Sequence, residues 1–272
     1  MSLKITELYL YPIKSLGRIA LKTAQLSDRG FEYDRFWMLV RPDGQAVTQR
    51  ENPKLALFKL SMTESDVIVK YENNELTIPK INSSATENIT TVLFGNEVIG
   101  VREDEVFSQW FSEQLGEETI LVRKSLTHRR VVPKHEESIV NFSDCCQYLT
   151  ISEASMAHLN KKLDEPISIH RFRPNIVFSG GMPHCEDGFK IIQIGKSTFE
   201  GTKPCGRCKV TTVHQDTAEK GVEPLKTLAT YRKQGKKDRE IYRRGITNYG
   251  KRFTSKTFCK ARRGSKCNCF SS

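Results

Sequence analysis

Apolar and polar residues alternate along most of this chain with the two-residue period of half-buried strands. Residues 3–10, L-K-I-T-E-L-Y-L, begin the pattern and residues 19–26 repeat it. Between them lies Tyr11-Pro12-Ile13-Lys14-Ser15, whose proline cannot donate to a ladder. Lys14 and Ser15 are therefore expected on a turn at the strand's end. Tyr33 to Val40 reads as a strand with aromatic bulk, Arg41-Pro42-Asp43-Gly44 as a hairpin turn, and Thr48-Gln49-Arg50 as the end of the returning strand. Further strands are expected at 55–62, 66–71 and 75–79, and one at 89–94 within an otherwise irregular 80–104. Many short strands spaced by roughly 8–12 residues argue for a barrel or sandwich.

Helical spacing first appears at 105–115, where Val106, Trp110 and Phe111 recur and Gly116 suits the C-cap. A strand at 119–123 and a basic loop at 125–137 follow, the loop holding His128 and His135 as surface histidines. A strand at 147–151 leads into a helix at 153–163 capped by Ser152. Arg171 to Phe178 runs from a polar cluster into a buried strand that Gly180-Gly181 breaks. The stretch T-K-P-C-G-R-C-K-V-T-T-V (202–213) reads as strand, tight loop, strand, because its last residues are β-branched. Glu223-Pro224 opens a helix running to about Gln234. From Gly235 onward no strand alternation is visible. The pattern thus predicts a mainly β (α+β) protein with a few short helices.

Composition narrows this. The 272 residues, 38% hydrophobic and 28% charged, suffice for a folded core. No run approaches the ~18–20 apolar residues of a membrane span. Met1 to Gly17 lacks a secretory pattern, so eight cysteines point to reduced thiols in a cytoplasmic setting. The net charge of +11 is a property of the tail: from Lys233 to Ser272, 13 Lys/Arg stand against two Asp/Glu. The remainder is balanced. Nonspecific attraction to polyanions follows, but no specific nucleic-acid partner.

The candidate chemistry centres on Cys205 and Cys208. A C-x-x-C pair can be half of a zinc site, a redox dithiol or two packed thiols. Zinc needs about four ligands, and the nearest others in sequence are His214 and Cys185. A redox pair should open a helix, whereas strand residues follow here. One thiolate, favoured by neighbouring Arg207 and binding something the chain does not wholly supply, is the reading preferred. Lys14 and Ser15 form either a phosphate contact or a solvated turn. Arg35 beside Asp34 either pairs internally or faces an anion. Arg171 and Arg173, of equal parity, form an anion site or a surface pair. Cys145 and Cys146 read as reduced packed thiols, and Asp144 as a site carboxylate or a turn former.

Seven stretches, in order, resemble the two-part MOSC family: Y-P-I-K-S-L-G (11–17), D-R-F-W-M-L-V (34–40), V-T-Q-R (47–50), L-T-I-S-E-A-S (149–155), F-R-P-N-I-V-F-S-G (172–180), C-G-R-C-K-V-T-T-V (205–213) and E-P-L-K-T-L-A-T-Y-R (223–232). The relatives in view are the mitochondrial amidoxime-reducing component and its bacterial counterparts. The resemblance implies an N-terminal β-barrel domain at 1–116 and a MOSC β-barrel domain at 117–245, whose closing strands are not recognisable after Tyr231. A basic tail at 246–272, without order, would follow. It implies a molybdenum–molybdopterin cofactor in a sulfite-oxidase-like centre, with Cys208 as the metal ligand and Cys205 as the fallback. Lys14, Ser15 and Arg35 would hold the cofactor's phosphate end, Arg173, with Asp144 and Asn175 near it, would face the pterin and metal, and Arg50 and Cys205 would also bind the cofactor. Cys208, Asp144 and Arg173 would carry catalysis. The implied reaction is reduction of small N-hydroxylated compounds, with electrons from an external flavin reductase or haem/iron–sulfur protein. The alternative is a MOSC module that carries cofactor or sulfur without turnover. Pyridoxal phosphate binding is a further expectation attached to the family.

Overall fold

A computed structural model of the chain describes residues 3–132, 135–232 and 247–255. Its largest sheet has seven strands, in the order Ile191–Ile194, Ser197–Arg207, Thr247–Ser255, Tyr148–Ser152, Ile176–Ser179, Lys4–Leu10 and Ile19–Leu21. Neighbours run antiparallel except Tyr148–Ser152 and Ile176–Ser179, which are parallel. The first strand of the chain therefore lies in a sheet built mostly by its second half. That placement decides where Lys14 and Ser15 end up, because they follow directly from that strand.

A four-stranded sheet of Trp37–Val40, Ile120–Lys124, Asn96–Arg102 and Asn88–Leu93 and a three-stranded sheet of Lys59–Met62, Asp66–Tyr71 and Asn74–Pro79 make up most of the N-terminal part. Trp37, Leu39, Phe58, Val69 and Phe111 fill the core between them. Leu8, Phe31, Tyr148, Phe199 and Phe253 fill a second core under the seven-stranded sheet. The mainly β expectation is met. The helix Glu105–Leu115 also forms, and Gly116 closes it with φ +69° and its N–H on the Ser112 carbonyl. Ser152 caps the next helix by accepting from the Ser155 N–H, although that helix ends at Asn160. The last helix spans Leu225–Tyr231. Among the described residues no helix is long and apolar enough to cross a membrane.

Four expectations are corrected. The chain after Gly235 does contain a strand, Thr247–Ser255, paired with both Tyr148–Ser152 and Ser197–Arg207. Its charged residues hide the pattern, yet Phe253 is fully buried and Gly250, at φ +78°, sits where a Cβ would come within 2.8 Å of the Thr150 carbonyl oxygen. That strand also explains the second correction. Ser197–Arg207 continues past Cys205, with an irregularity in register between Pro204 and Gly206, because Gly206 and Arg207 pair with Asn248 and Thr247. The β-branched residues after it form a 3-10 turn, Lys209–Thr212, instead of a strand. Thr211 and Thr212 bond back to the carbonyls of Cys208 and Lys209 at 3.0 and 2.9 Å, the local bonding by which threonine competes with a ladder. Third, the loop expected at 125–137 contains a small hairpin, Val131–Val132 with His135–Ile139. Fourth, the stretch read as irregular gains the strand Asn96–Arg102. Residues 233–246, with the expected helix end near Gln234, and 256–272, with Cys259, Cys267 and Cys269, lie outside the described residues.

Phe253→Ala should cost about 3–5 kcal/mol, the range for emptying a buried aromatic site, read by denaturant unfolding. A loss near zero would mean that Thr247–Ser255 does not close the sheet.

Candidate functional site

One cleft gathers side chains from both ends of the chain. Its lining includes seven cations, Lys14, Arg35, Arg50, Arg171, Arg173, Arg207 and Arg252, and among the described lining residues Asp144 is the one carboxylate. All nine residues singled out from the sequence line it: Lys14, Ser15, Arg35, Arg50, Asp144, Arg173, Asn175, Cys205 and Cys208. His214 and Cys185, the nearest partners for a zinc site, do not. Among the described residues no three His, Cys, Asp or Glu side chains are arranged to hold a metal ion.

The geometry follows from the strand ends. The first strand stops at Pro12, and the Lys14 N–H then bonds the Trp37 carbonyl at 2.8 Å. This throws the lysine inward. Its Nζ donates to the Phe142 carbonyl at 3.0 Å and to Asp144 Oδ1 at 2.5 Å. Burial pulls the Lys14 ammonium below its usual range, and Asp144 opposes that shift. Burial would raise the Asp144 carboxyl, but Lys14, Arg252 and Arg50 outweigh it and hold the group well below the usual carboxylate range. Asp144 is therefore an anion at any neutral pH, with 47% of its side chain still open to the cleft.

Arg35 is clamped from behind. Its Nη1 pairs with the buried Asp34 carboxylate and donates to Asn175 Oδ1 at 3.1 Å, while Nη2 reaches the Arg173 carbonyl at 3.3 Å. Asn175 is also fully engaged through its amide nitrogen, with Tyr9 O and Asp34 Oδ1 each at 3.2 Å. Asn175 thus orients Arg35 and ties the first strand to the later sheet, and its side-chain amide is spent on that task. Tyr11 supports two cations at once: the guanidinium carbons of Arg35 and Arg173 lie 4.3 and 4.2 Å from its ring centroid. Arg173 donates from Nη1 to the Leu16 carbonyl at 2.7 Å, while its buried Nη2 has no hydrogen-bond partner among the described residues. Burial brings the Arg173 guanidinium down to about 10.

Three of these residues sit in the left-handed backbone region: Ser15 at φ +69°, Arg35 at +48° and Arg173 at +56°. Each non-glycine residue there carries strain of about 1–3 kcal/mol, which proteins concentrate at functional sites.

The thiols differ in setting. Cys205 is buried among Leu149, Ile151 and Phe172, and its Sγ accepts from Arg252 Nε at 3.1 Å. Cys208 is half-exposed at the end of the strand, and its Sγ accepts from Arg50 Nε at 3.5 Å. Cys145 and Cys146 also line the cleft and their sulfurs lie 3.4 Å apart, Cys146 donating. That bond, with Arg252 and Lys203 nearby, brings the Cys145 thiol down to about 5 against its own burial, and burial with the same bond drives Cys146 upward.

Sequence reasoning missed Tyr11 and Arg252. Arg252 lies on the strand that shows no alternation, so nothing in the pattern could have exposed it. Tyr11 was visible as an aromatic before Pro12, but its pairing with two arginines is a matter of three-dimensional packing. Arg171 and Arg173 do both face the cleft, yet through a 3-10 turn, Ile169–Phe172, and not through shared strand parity.

Comparison with known proteins agrees with this architecture. Residues 2–118 match the model of the MOSC N-terminal beta barrel domain, and residues 137–252 match that of the MOSC domain. A bovine (Bos taurus) protein named mitochondrial amidoxime reducing component 2 is 30% identical over 255 residues, covering 88% of this chain and 75% of the relative. The human (Homo sapiens) mitochondrial amidoxime-reducing component 1 is 28% identical over 251 residues, with 88% and 74% covered. A molybdenum cofactor sulfurase from rice (Oryza sativa subsp. japonica) is 32% identical over 257 residues, covering 85% of this chain but only 31% of that longer protein. The chain belongs to the family in which a MOSC N-terminal beta barrel domain precedes a MOSC domain.

Proposed function

We propose that this cleft binds an anionic molybdenum–pterin cofactor and that the loaded protein reduces small N-hydroxylated compounds. The observation that carries the reading is the half-buried Cys208 in a cleft lined, among the described residues, by seven cations and one carboxylate. The donor set suits the group: a thiolate is a soft ligand, guanidinium groups match phosphate oxygens in bidentate fashion, and the buried Arg173 Nη2 lacks an acceptor among the described residues. The names of the bovine and human relatives support the reductase reading, and that of the rice relative supports a link to the molybdenum cofactor alone.

When bound, the cofactor would supply a metal that can take up and release an electron pair. The chain's own residues do the rest. Lys14, Ser15 and Arg35 would hold the phosphate end, Arg50 would lie beside the ligating sulfur, and Arg173 would face the pterin. Cys208 would ligate the metal, since Cys205 is buried and held by Arg252. Asp144, ionised, would accept a hydrogen bond from the amino group of an amidoxime and so orient its N-hydroxyl end. Reduction of an amidoxime to an amidine consumes two electrons and two protons and releases water. The electrons would come from an external flavin reductase or haem/iron–sulfur protein.

Protein produced in a host that assembles molybdopterin should carry molybdenum near one per chain and reduce benzamidoxime with an artificial electron donor. Cys208→Ala should lower molybdenum content by about tenfold or more, as loss of a metal contact does, while Cys205→Ala should keep most of it. Equal losses in the two variants would reverse the ligand assignment. Bound cofactor without any reduction would favour the carrier module, and no molybdenum at all would end the proposal. Lys14→Met removes a charged hydrogen bond worth about 1.5–3 kcal/mol. It should weaken cofactor retention on dialysis by about tenfold, whereas unchanged retention would take Lys14 out of the binding set.

A further inference from the structure

The hairpin of Asn88–Leu93 and Asn96–Arg102 turns through Phe94 and Gly95, at φ +56° and +77°. Two successive left-handed residues are the mark of a type I′ turn, whose first position favours Asn, Asp or Gly. A bulky residue at positive φ is an outlier. Burial does not compensate, because Phe94 is 44% exposed. The turn would be better served by another residue, and the core makes no use of this one.

The ring reaches instead to the rim of the cleft. The Arg50 guanidinium carbon lies 4.7 Å and Lys14 Nζ 5.1 Å from its centroid. Those are the two cations that touch Cys208 and Asp144. Cation–π contacts at exposed sites are weak and do not by themselves account for an aromatic held in a disfavoured backbone. Phe94 is not itself a lining residue, and the lining mixes polar Ser15, Thr48, Ser143 and Asp144 with apolar Leu149, Phe172 and Val210. Phe94 therefore adds a partly exposed aromatic ring beside the two cations that touch Asp144 and Cys208.

We infer that Phe94 is a specificity-determining residue, the wall on which the planar aromatic body of an N-hydroxylated substrate stacks while its N-hydroxyl end reaches Asp144 and Cys208. The inference rests on the reductase reading above. It selects, within that reading, aromatic amidoximes and N-hydroxylated heteroaromatic bases over small aliphatic ones, which have no face to stack. The strain at the hairpin tip is then the cost of holding the ring in place.

The test uses cofactor-loaded protein and the variants Phe94→Ala, Phe94→Tyr and Phe94→Asn, with benzamidoxime and acetamidoxime as probes. Binding is measured by calorimetry without an electron donor, and turnover separately with an artificial donor. Phe94→Ala should lower the benzamidoxime-to-acetamidoxime ratio of both binding constant and kcat/KM by about three- to tenfold, the value of one aromatic stacking contact. The change should fall on KM rather than kcat, and Phe94→Tyr should retain the ratio. Phe94→Asn, which the turn prefers, should lose the ratio in the same way yet raise Tm by a few degrees. An unchanged ratio, equal losses on both probes, or a fall in Tm for Phe94→Asn would each overturn the inference. If wild-type protein reduces neither amidoxime, it is the reductase reading that fails, and the calorimetric ratio still decides the role of Phe94.

Discussion

Like charges crowded into one cleft repel, and this fold is arranged to withstand that repulsion. Two like charges 4 Å apart near a protein surface cost about 4 kcal/mol. Seven cations line the cleft against a single described carboxylate, so each must be held by something behind it. Arg35 has Asp34, Asn175 and the Arg173 carbonyl. Lys14 has Asp144 and the Phe142 carbonyl, and Tyr11 lies against both Arg35 and Arg173. Arg50 and Arg252 each face a thiol. The supporting groups keep the cations in position without neutralising the cleft, and an anionic ligand would relieve the remaining repulsion.

The topology makes this arrangement possible. Lys4–Leu10 lies beside Ile176–Ser179, so the first turn of the chain meets the loop that carries Arg173 and Asn175. Thr247–Ser255 lies beside Ser197–Arg207, so Arg252 meets Cys205. The two ends of the described chain thus enter one sheet, and the cleft forms where their loops converge. Left-handed backbone at Ser15, Arg35 and Arg173 turns those side chains inward, at the expense of local strain.

Much of this could be read from the residues. Alternation located most strands of the N-terminal part, missing Asn96–Arg102 and taking the 3-10 turn Pro53–Leu57 for the start of a strand, and Gly116 and Ser152 marked two helix ends that the structure confirms. The site was readable only as a set: Lys14, Arg35 and Arg173 each had a plain surface interpretation until the spacing of all seven stretches was considered together. What stayed hidden depended on contacts distant in sequence. The run Val210–Val213 has strand composition but no strand neighbour, so its threonines bond locally. Thr247–Ser255 has the opposite problem, being a strand whose charges are accommodated by the strands on either side. Phe94 was invisible because a residue that violates its turn's preference looks, in sequence, like an ordinary strand end.

The central claim is that the Cys208 sulfur meets a ligand that this cleft was built to hold. Its most direct test is the alkylation rate of individual cysteines, mapped by peptide mass spectrometry, in cofactor-free and cofactor-loaded protein. The account predicts that Cys208 is modified readily without cofactor and is protected when loaded, while half-exposed Cys185, away from the cleft lining, reacts equally in both. Equal modification of Cys208 in the two preparations would contradict it.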